Sequence, residues 1–192
     1  YSKDTPLLGW SMTKSVTSAL IGILVRDGRL DIYEPAPVEE WKSPGDPRAK
    51  ITTDQLLRMS SGLEFREEYE ENPDSDAGYM YFTVHDMAAF AAKKPLEAAP
   101  DTEFNYSSGT TMLLSRIIRS TVGGSYGDYL SFPRRELFNK LGMRSAVIEP
   151  DPSGTMVGAA FMYATARDWA RFGLLYYNDG VWNGERILPE GW

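Results

Sequence analysis

The sequence predicts an α+β fold in which helices dominate and strands are few. Apolar residues recur with a helical period in several segments, each preceded by a capping residue and most followed by glycine or proline. Strand-like residues are confined to the two ends of the chain and to the region near 156–163. With 192 residues, of which 42% are hydrophobic, the chain is long enough to form one domain with a sizeable core.

The first helix is predicted from Ser11 to Asp27, with Gly28 just beyond its end. Its apolar residues lie on nearly all sides, which is typical of a buried helix. A further helix is predicted to begin at Ser107–Ser108 and to end at the glycines after Val122.

Capping boxes predict the starts of four more helices. They are formed by Thr52 with Gln55, Thr83 with Asp86, Ser125 with Asp128, and Thr165 with Asp168. Residues 64–79 are acidic and lack an apolar period, so we expect a solvated loop there. Asn183–Gly184 predicts a tight hairpin turn.

Composition excludes several function classes. A net charge of −7 without a Lys/Arg cluster argues against nucleic acid and anionic membrane surfaces as partners. The absence of cysteine excludes disulfides, zinc-thiolate sites and a cysteine nucleophile. No run approaches the ~20 apolar residues of a transmembrane helix. Carboxylates and the single histidine, His85, are the remaining metal ligands, so we expect neither a metal nor another cofactor.

The same histidine count disfavours a Ser-His-Asp triad, since His85 is predicted to be an exposed residue beside Asp86. The sequence offers a lysine base instead, because Ser11-Met12-Thr13-Lys14 has the S-x-x-K spacing. Residues three apart are neighbours on a helix, and burial lowers the pKa of a lysine, so the Lys14 amine could accept the Ser11 proton. The alternative is a serine that caps the helix and a lysine that extends to solvent.

A second polar element, Tyr106-Ser107-Ser108, lies at the entry of the helix that follows it. Tyr106 and Ser108 can project from there into a cleft, and a tyrosine beside a lysine can share the role of general base. Taken alone, Tyr106 is better explained as an amphipathic residue that packs at a helix start.

Together these segments resemble the serine β-lactamase and penicillin-binding-protein superfamily. The resemblance rests on "SMTKS", "GRLDIYEPAPVEEW", "ITTDQLLRMSSGLEF", "FNYSSGT", "LFNKLGM" and "YATARDWARFGLLYYNDGVWNGERILPEGW", in that order. The sequence is most similar to the class C β-lactamase-like hydrolases, a branch that includes esterases, D-aminopeptidases and 6-aminohexanoate-dimer hydrolases. The resemblance implies a β-lactamase/DD-peptidase-like fold, of which this chain is mainly the helical region with bordering strands.

The resemblance also implies site residues. Ser11 would be the acylated nucleophile, Lys14 its proton partner, and Tyr106 the second general acid/base. Ser108 stands where the family often has an asparagine that holds a substrate amide. Tyr69, in the acidic loop, would be a lid tyrosine aimed at the scissile amide; a solvated loop with Tyr69 packed on its own base is the alternative.

These assignments favour an acyl-serine hydrolase of small esters or linear amides. A true β-lactamase or DD-peptidase, and a non-catalytic penicillin-receptor-like binding module, are the alternatives. The expected partner is a small ester, amide or β-lactam. The resemblance favours export but does not fix the compartment. It also implies that residues 1–192 form a partial domain, with flanking strands and a Lys/His-x-Gly motif outside this sequence, and that the segment alone is close to inactive.

Overall fold

The computed structural model describes residues 1–68 and 75–192, and the α+β prediction is confirmed. The helices are α1 (Met12–Arg26), α2 (Thr53–Leu57), α3 (Asp76–Thr83), α4 (Met87–Ala92), α5 (Ser108–Val122), α6 (Tyr126–Pro133), α7 (Asn139–Leu141) and α8 (Ala166–Tyr177). A π-helical turn, Arg134–Phe138, joins α6 to α7. The strands are β1 (Leu7–Leu8), β2 (Val147–Ile148), β3 (Met162–Ala164), β4 (Val181–Trp182) and β5 (Glu185–Arg186). No helix in these two ranges has the length and apolar character needed to cross a bilayer.

The main sheet is antiparallel, with strand order β1-β3-β2. Leu7 lies opposite Ala164, and Val147 lies opposite Tyr163. The sequence did not predict β2, because two residues are too few to show an alternating pattern. Strands β4 and β5 form the predicted hairpin, whose Asn183–Gly184 turn has φ values of 49° and 81°.

The core lies between α1 and α5, and α5 also packs against α2 and α4. Both long helices are buried on several sides, as the sequence predicted for α1. Trp41 is buried beside them, and its indole N–H donates to the carbonyl of Ala92 at 2.9 Å. The pairing of α1 with α5 brings two residues of the predicted site together, because Ser11 immediately precedes α1 and Ser108 begins α5.

Three of the four predicted capping boxes form wholly or in part. Thr52–Gln55 and Ser125–Asp128 make both reciprocal hydrogen bonds. At α8 the Thr165 hydroxyl accepts from the Asp168 N–H at 3.3 Å. The Asp168 carboxylate instead accepts from the N–H and the hydroxyl of Ser145, at 2.9 and 2.6 Å, so this box is half formed.

The predicted Thr83–Asp86 box is wrong. Thr83 is the last residue of α3, and its hydroxyl donates to the carbonyl of Tyr79 at 2.6 Å. The backbone is extended at Val84, and α4 begins only after Asp86, whose carboxylate accepts from the Ala89 N–H at 2.8 Å. A helix end and a helix start therefore lie within four residues, a pattern that resembles one capping box in the sequence.

The acidic loop predicted for residues 64–79 is wrong at its C-terminal end. Asp76 begins α3 and forms a part-buried ion pair with Lys94. The other oxygen of Asp76 accepts from the Arg66 N–H at 2.9 Å. These contacts fix the chain on both sides of residues 69–74, and they make Asp76 a structural anchor rather than a solvated charge.

Candidate active site

Ser11 lies where β1 turns into α1. The Gly9 N–H donates to the carbonyl of Met162 at 2.7 Å, which extends the contact between β1 and β3. A Cβ at Gly9 would lie 2.3 Å from the Trp169 ring, so only glycine permits this approach. Trp10 follows in the left-handed region, with φ of 46°, an uncommon conformation for a non-glycine residue that is often found at functional sites. This turn places Ser11 at the exposed start of α1.

The Ser11 hydroxyl does not cap the helix. It makes no capping hydrogen bond, and its Oγ lies 3.3 Å from Nζ of Lys14. The alternative of a capping serine and a solvent-directed lysine is therefore wrong. Within the described residues the Ser11 N–H makes no hydrogen bond, so it is available to an oxyanion at the N-terminus of α1.

Three oxygen atoms lie within hydrogen-bonding distance of the Lys14 amine. Its Nζ donates to Ser108 Oγ at 3.0 Å and to the carbonyl of Ala159 at 2.9 Å, in addition to the contact with Ser11. Burial lowers the pKa of Lys14 from 10.5 to about 8, because desolvation outweighs the attraction of Glu67, which raises it. A substantial fraction of the amine is thus neutral near pH 8.

The Ala159 carbonyl reaches Lys14 because its segment lies close to α1. The Thr17 hydroxyl donates to the carbonyl of Gly158 at 2.8 Å. A Cβ at Gly158 would lie 2.3 Å from Thr17 Oγ1 and 2.4 Å from Ser115 Oγ, so a side chain there would push the segment away. A backbone acceptor carries no residue-type signal, which is why the sequence did not reveal it.

The structure places the Tyr106 ring beside Lys14. Nζ of Lys14 lies 5.0 Å from the ring centroid, within the range of a cation–π contact. The Tyr106 side chain is 39% exposed, and its hydroxyl makes no hydrogen bond within residues 1–68 and 75–192. Tyr106 is thus partly open to solvent beside Lys14.

Ser108, the first residue of α5, is fully buried between Lys14 and Glu67. Its N–H donates to Glu67 Oε2 at 2.7 Å, and its hydroxyl donates to Glu67 Oε1. Sequence reasoning missed Glu67 as a site residue and counted it in the solvated acidic run, which is wrong for this position. The other predicted residue of that region, Tyr69, lies outside the described residues.

The segment carrying Glu67 is tied to the start of α5. The Asn105 side-chain amide donates to the carbonyls of Leu63 and Phe65, both at 3.3 Å. Phe65 packs over Gly109, where an added Cβ would lie 2.4 Å from the ring. The polar site thus combines α1, the start of α5, the segment before residue 69 and the loop before β3.

The described residues contain no group of three potential metal-binding side chains. His85 lies exposed in the connection between α3 and α4. The described side chains of this site offer a serine hydroxyl, a lysine amine of lowered pKa and a phenol.

Comparison with known proteins places this chain in a family. The profile of the Beta-lactamase family matches residues 1–192. The chain is 28% identical over 201 residues to the 6-aminohexanoate-dimer hydrolase of Paenarthrobacter ureafaciens, covering all of this chain and 50% of that protein. It thus spans about half the length of that relative.

Solved structures agree with this assignment. A candidate 6-aminohexanoate-dimer hydrolase from Bacillus anthracis superposes with a TM-score of 0.81 and 28% identity, over 98% of this chain and 52% of that protein. A D-stereospecific amidohydrolase from Streptomyces sp. shares the fold, with a TM-score of 0.71, 20% identity, and 97% and 63% coverage. The chain therefore belongs to the β-lactamase family of class C-like serine hydrolases, and it is a distant homologue of 6-aminohexanoate-dimer hydrolase.

Proposed function

We propose that this chain carries the nucleophile and base of an acyl-serine hydrolase that cleaves small esters or linear amides. The observation that carries the proposal is the contact of 3.3 Å between Ser11 Oγ and Nζ of Lys14, a lysine whose pKa burial lowers to about 8. A serine hydroxyl is a weak nucleophile until a base takes its proton, and a neutral amine at hydrogen-bonding distance can do so.

Acylation would begin when the neutral Lys14 amine takes the Ser11 proton and Oγ attacks the carbonyl carbon of the substrate. The resulting oxyanion would accept a hydrogen bond from the Ser11 N–H. As the bond to the leaving alcohol or amine breaks, Lys14 would return its proton to that group, directly or through the Tyr106 hydroxyl. Water would then attack the acyl-enzyme, a proton would pass back through the same groups, and Ser11 would be regenerated.

The preference for esters and linear amides rests on the position of Ser108 and on the acidic segment. Where the family often has an asparagine, the Ser108 hydroxyl here bonds to Glu67 and Lys14. The acidic residues between Glu64 and Asp76 disfavour an anionic substrate such as most β-lactams and tolerate a neutral or amino-bearing one. Tyr69 stays a candidate lid residue in this proposal. The names of the relatives, a dimer hydrolase and an amidohydrolase, agree with amide substrates.

The test of the nucleophile is covalent labelling of the protein in its full encoded length. A fluorophosphonate probe should add to Ser11, as seen by intact-mass spectrometry and peptide mapping, and Ser11→Ala should abolish labelling and turnover. Lys14→Ala should slow acylation by a factor on the order of 10³. Labelling that persists in Ser11→Ala would refute the assignment.

The test of the substrate class compares p-nitrophenyl butyrate, an aminoacyl amide and nitrocefin. We expect kcat/KM to be higher for the ester than for nitrocefin, and the reverse order would favour a true β-lactamase. Binding of a β-lactam without any acylation or turnover would instead favour a non-catalytic module. Tyr69→Phe tests the proposed lid role of Tyr69. An unchanged rate of amide hydrolysis in this variant would remove Tyr69 from the mechanism.

A further inference from the structure

Both carboxylate oxygens of Glu67 accept hydrogen bonds from Ser108, the first residue of α5. Oε2 accepts from the Ser108 N–H at 2.7 Å, and Oε1 accepts from the Ser108 hydroxyl. An ionised carboxylate has no proton to give, so the hydroxyl must be the donor in the second contact. The Ser108 side chain is thereby left with only lone pairs for its other neighbour, Lys14.

The same reasoning fixes the orientation of the Lys14 amine. A neutral amine has two N–H bonds and one lone pair, and three oxygens lie around Nζ. The Ala159 carbonyl can only accept, and Ser108 can only accept while its proton is held by Glu67. These two oxygens take the two N–H bonds, so the lone pair is directed at Ser11, the one neighbour of the three with a proton to give.

We propose that Glu67 is a positioning residue that acts through Ser108 to direct the lone pair of Lys14 at the Ser11 hydroxyl. The inference rests on the proposed function, because it explains how Lys14 is made a base for Ser11. The charge of Glu67 by itself would oppose this role, since it raises the pKa of Lys14. A carboxylate is nevertheless the group that fixes the direction of the Ser108 hydroxyl.

Glu67→Gln tests the direction of this hydrogen bond with little change of shape. The amide oxygen of glutamine must face the Ser108 N–H, because an NH₂ group cannot accept from it. The NH₂ group then faces Ser108 Oγ and donates to it. The Ser108 proton is released and can bond to the Lys14 lone pair, in competition with Ser11. Removing the Ser108 hydroxyl from the same variant should remove that competitor.

The experiment measures the rate of fluorophosphonate acylation in the protein of full encoded length, at the plateau above the acid limb of each variant's pH profile. We expect Glu67→Gln to slow acylation about 10- to 100-fold, a part of what a general base contributes. Ser108→Ala should cost less than about tenfold, and Glu67→Gln/Ser108→Ala should recover to the rate of Ser108→Ala alone. Glu34→Gln, the same change at an exposed residue outside the acidic segment, is the control and should label at the wild-type rate.

Two results would overturn the inference: a Glu67→Gln rate equal to wild type, or a double variant in which the two losses multiply. A carboxylate that only supports the fold would give the second result, because removing Ser108 as well could not restore the rate. If Glu67→Gln fails to fold, Glu67→Ala serves instead, because it also releases the proton of the Ser108 hydroxyl. The acylation rate of Glu67→Ala/Ser108→Ala must then recover to that of Ser108→Ala alone. Labelling that does not depend on Ser11 would instead refute the proposed function, and this inference with it.

Discussion

Replacing Lys14 by arginine should abolish the pH-dependent acylation of Ser11. The reasoning starts from the pKa of Lys14, which burial lowers from 10.5 to about 8. At pH 7 this change makes the neutral amine roughly 300-fold more abundant, about one molecule in ten instead of about one in three thousand. Arginine stays protonated at every accessible pH and cannot accept the serine proton.

The size of the effect follows from the titration of one group. If only the neutral amine activates Ser11, the acylation rate should rise about tenfold per pH unit below pH 8 and level off above it. Between pH 6 and pH 9 the total rise is on the order of 100-fold. Lys14→Arg should show neither the rise nor the plateau.

The assay is the rate of fluorophosphonate labelling followed by intact-mass spectrometry, corrected for hydrolysis of the probe. Lys93→Arg, the same substitution at an exposed lysine, should keep the wild-type profile. A flat rate between pH 6 and pH 8 would refute the role of Lys14, and an inflection near 10.5 would show that burial does not lower its pKa. Wild-type labelling by Lys14→Arg would refute the reasoning altogether.

Three further predictions concern the same site. Tyr106→Phe keeps the ring over Lys14 but removes the hydroxyl. Turnover should fall about 100-fold if the phenol is a general acid/base. An unchanged rate would mean that Tyr106 acts only through its cation–π contact with Lys14. Gly158→Ala should lower the free energy of unfolding by about 1–3 kcal/mol in denaturant titration and should also slow acylation. The added Cβ would lie 2.3 Å from Thr17 Oγ1 and displace the Ala159 carbonyl from Lys14. Wild-type values for both the stability and the rate would contradict the close approach. Between pH 8 and 10.5 the unfolded chain holds the Lys14 proton and the folded chain does not. The free energy of unfolding of wild type relative to Lys14→Met should therefore rise by about 3 kcal/mol over this pH range. A difference that stays constant with pH would contradict the effect of burial on Lys14.

The two central residues of the site could be predicted because their relation is local. Ser11 and Lys14 are three residues apart at the start of a helix, and the helix period alone brings them together. The apolar residues around α1 likewise predicted that Lys14 would be partly desolvated. The helix starts at Thr52 and Ser125 followed from side-chain caps that act within four residues.

The wrong predictions, like the correct ones, used only local spacing and residue type. The Thr83–Asp86 pair has the spacing of a capping box, but packing ends one helix at Thr83 and begins the next after Asp86. Local spacing cannot distinguish these arrangements. Asp76 carries a charge typical of a solvated loop, and only its pairing with Lys94 makes it part of the structure.

By itself the sequence determined the helical character of the chain, the Ser11–Lys14 pair and the family resemblance. The tertiary structure decided what surrounds Lys14. Ser108 lies 94 residues from Lys14, the Ala159 carbonyl lies 145 residues away, and Glu67 reaches Ser108 across 41 residues. Such contacts depend on how α1, α5 and the loop before β3 pack, and one of them involves only backbone. Residue types along a chain carry no record of them, because packing rather than local periodicity sets the distances.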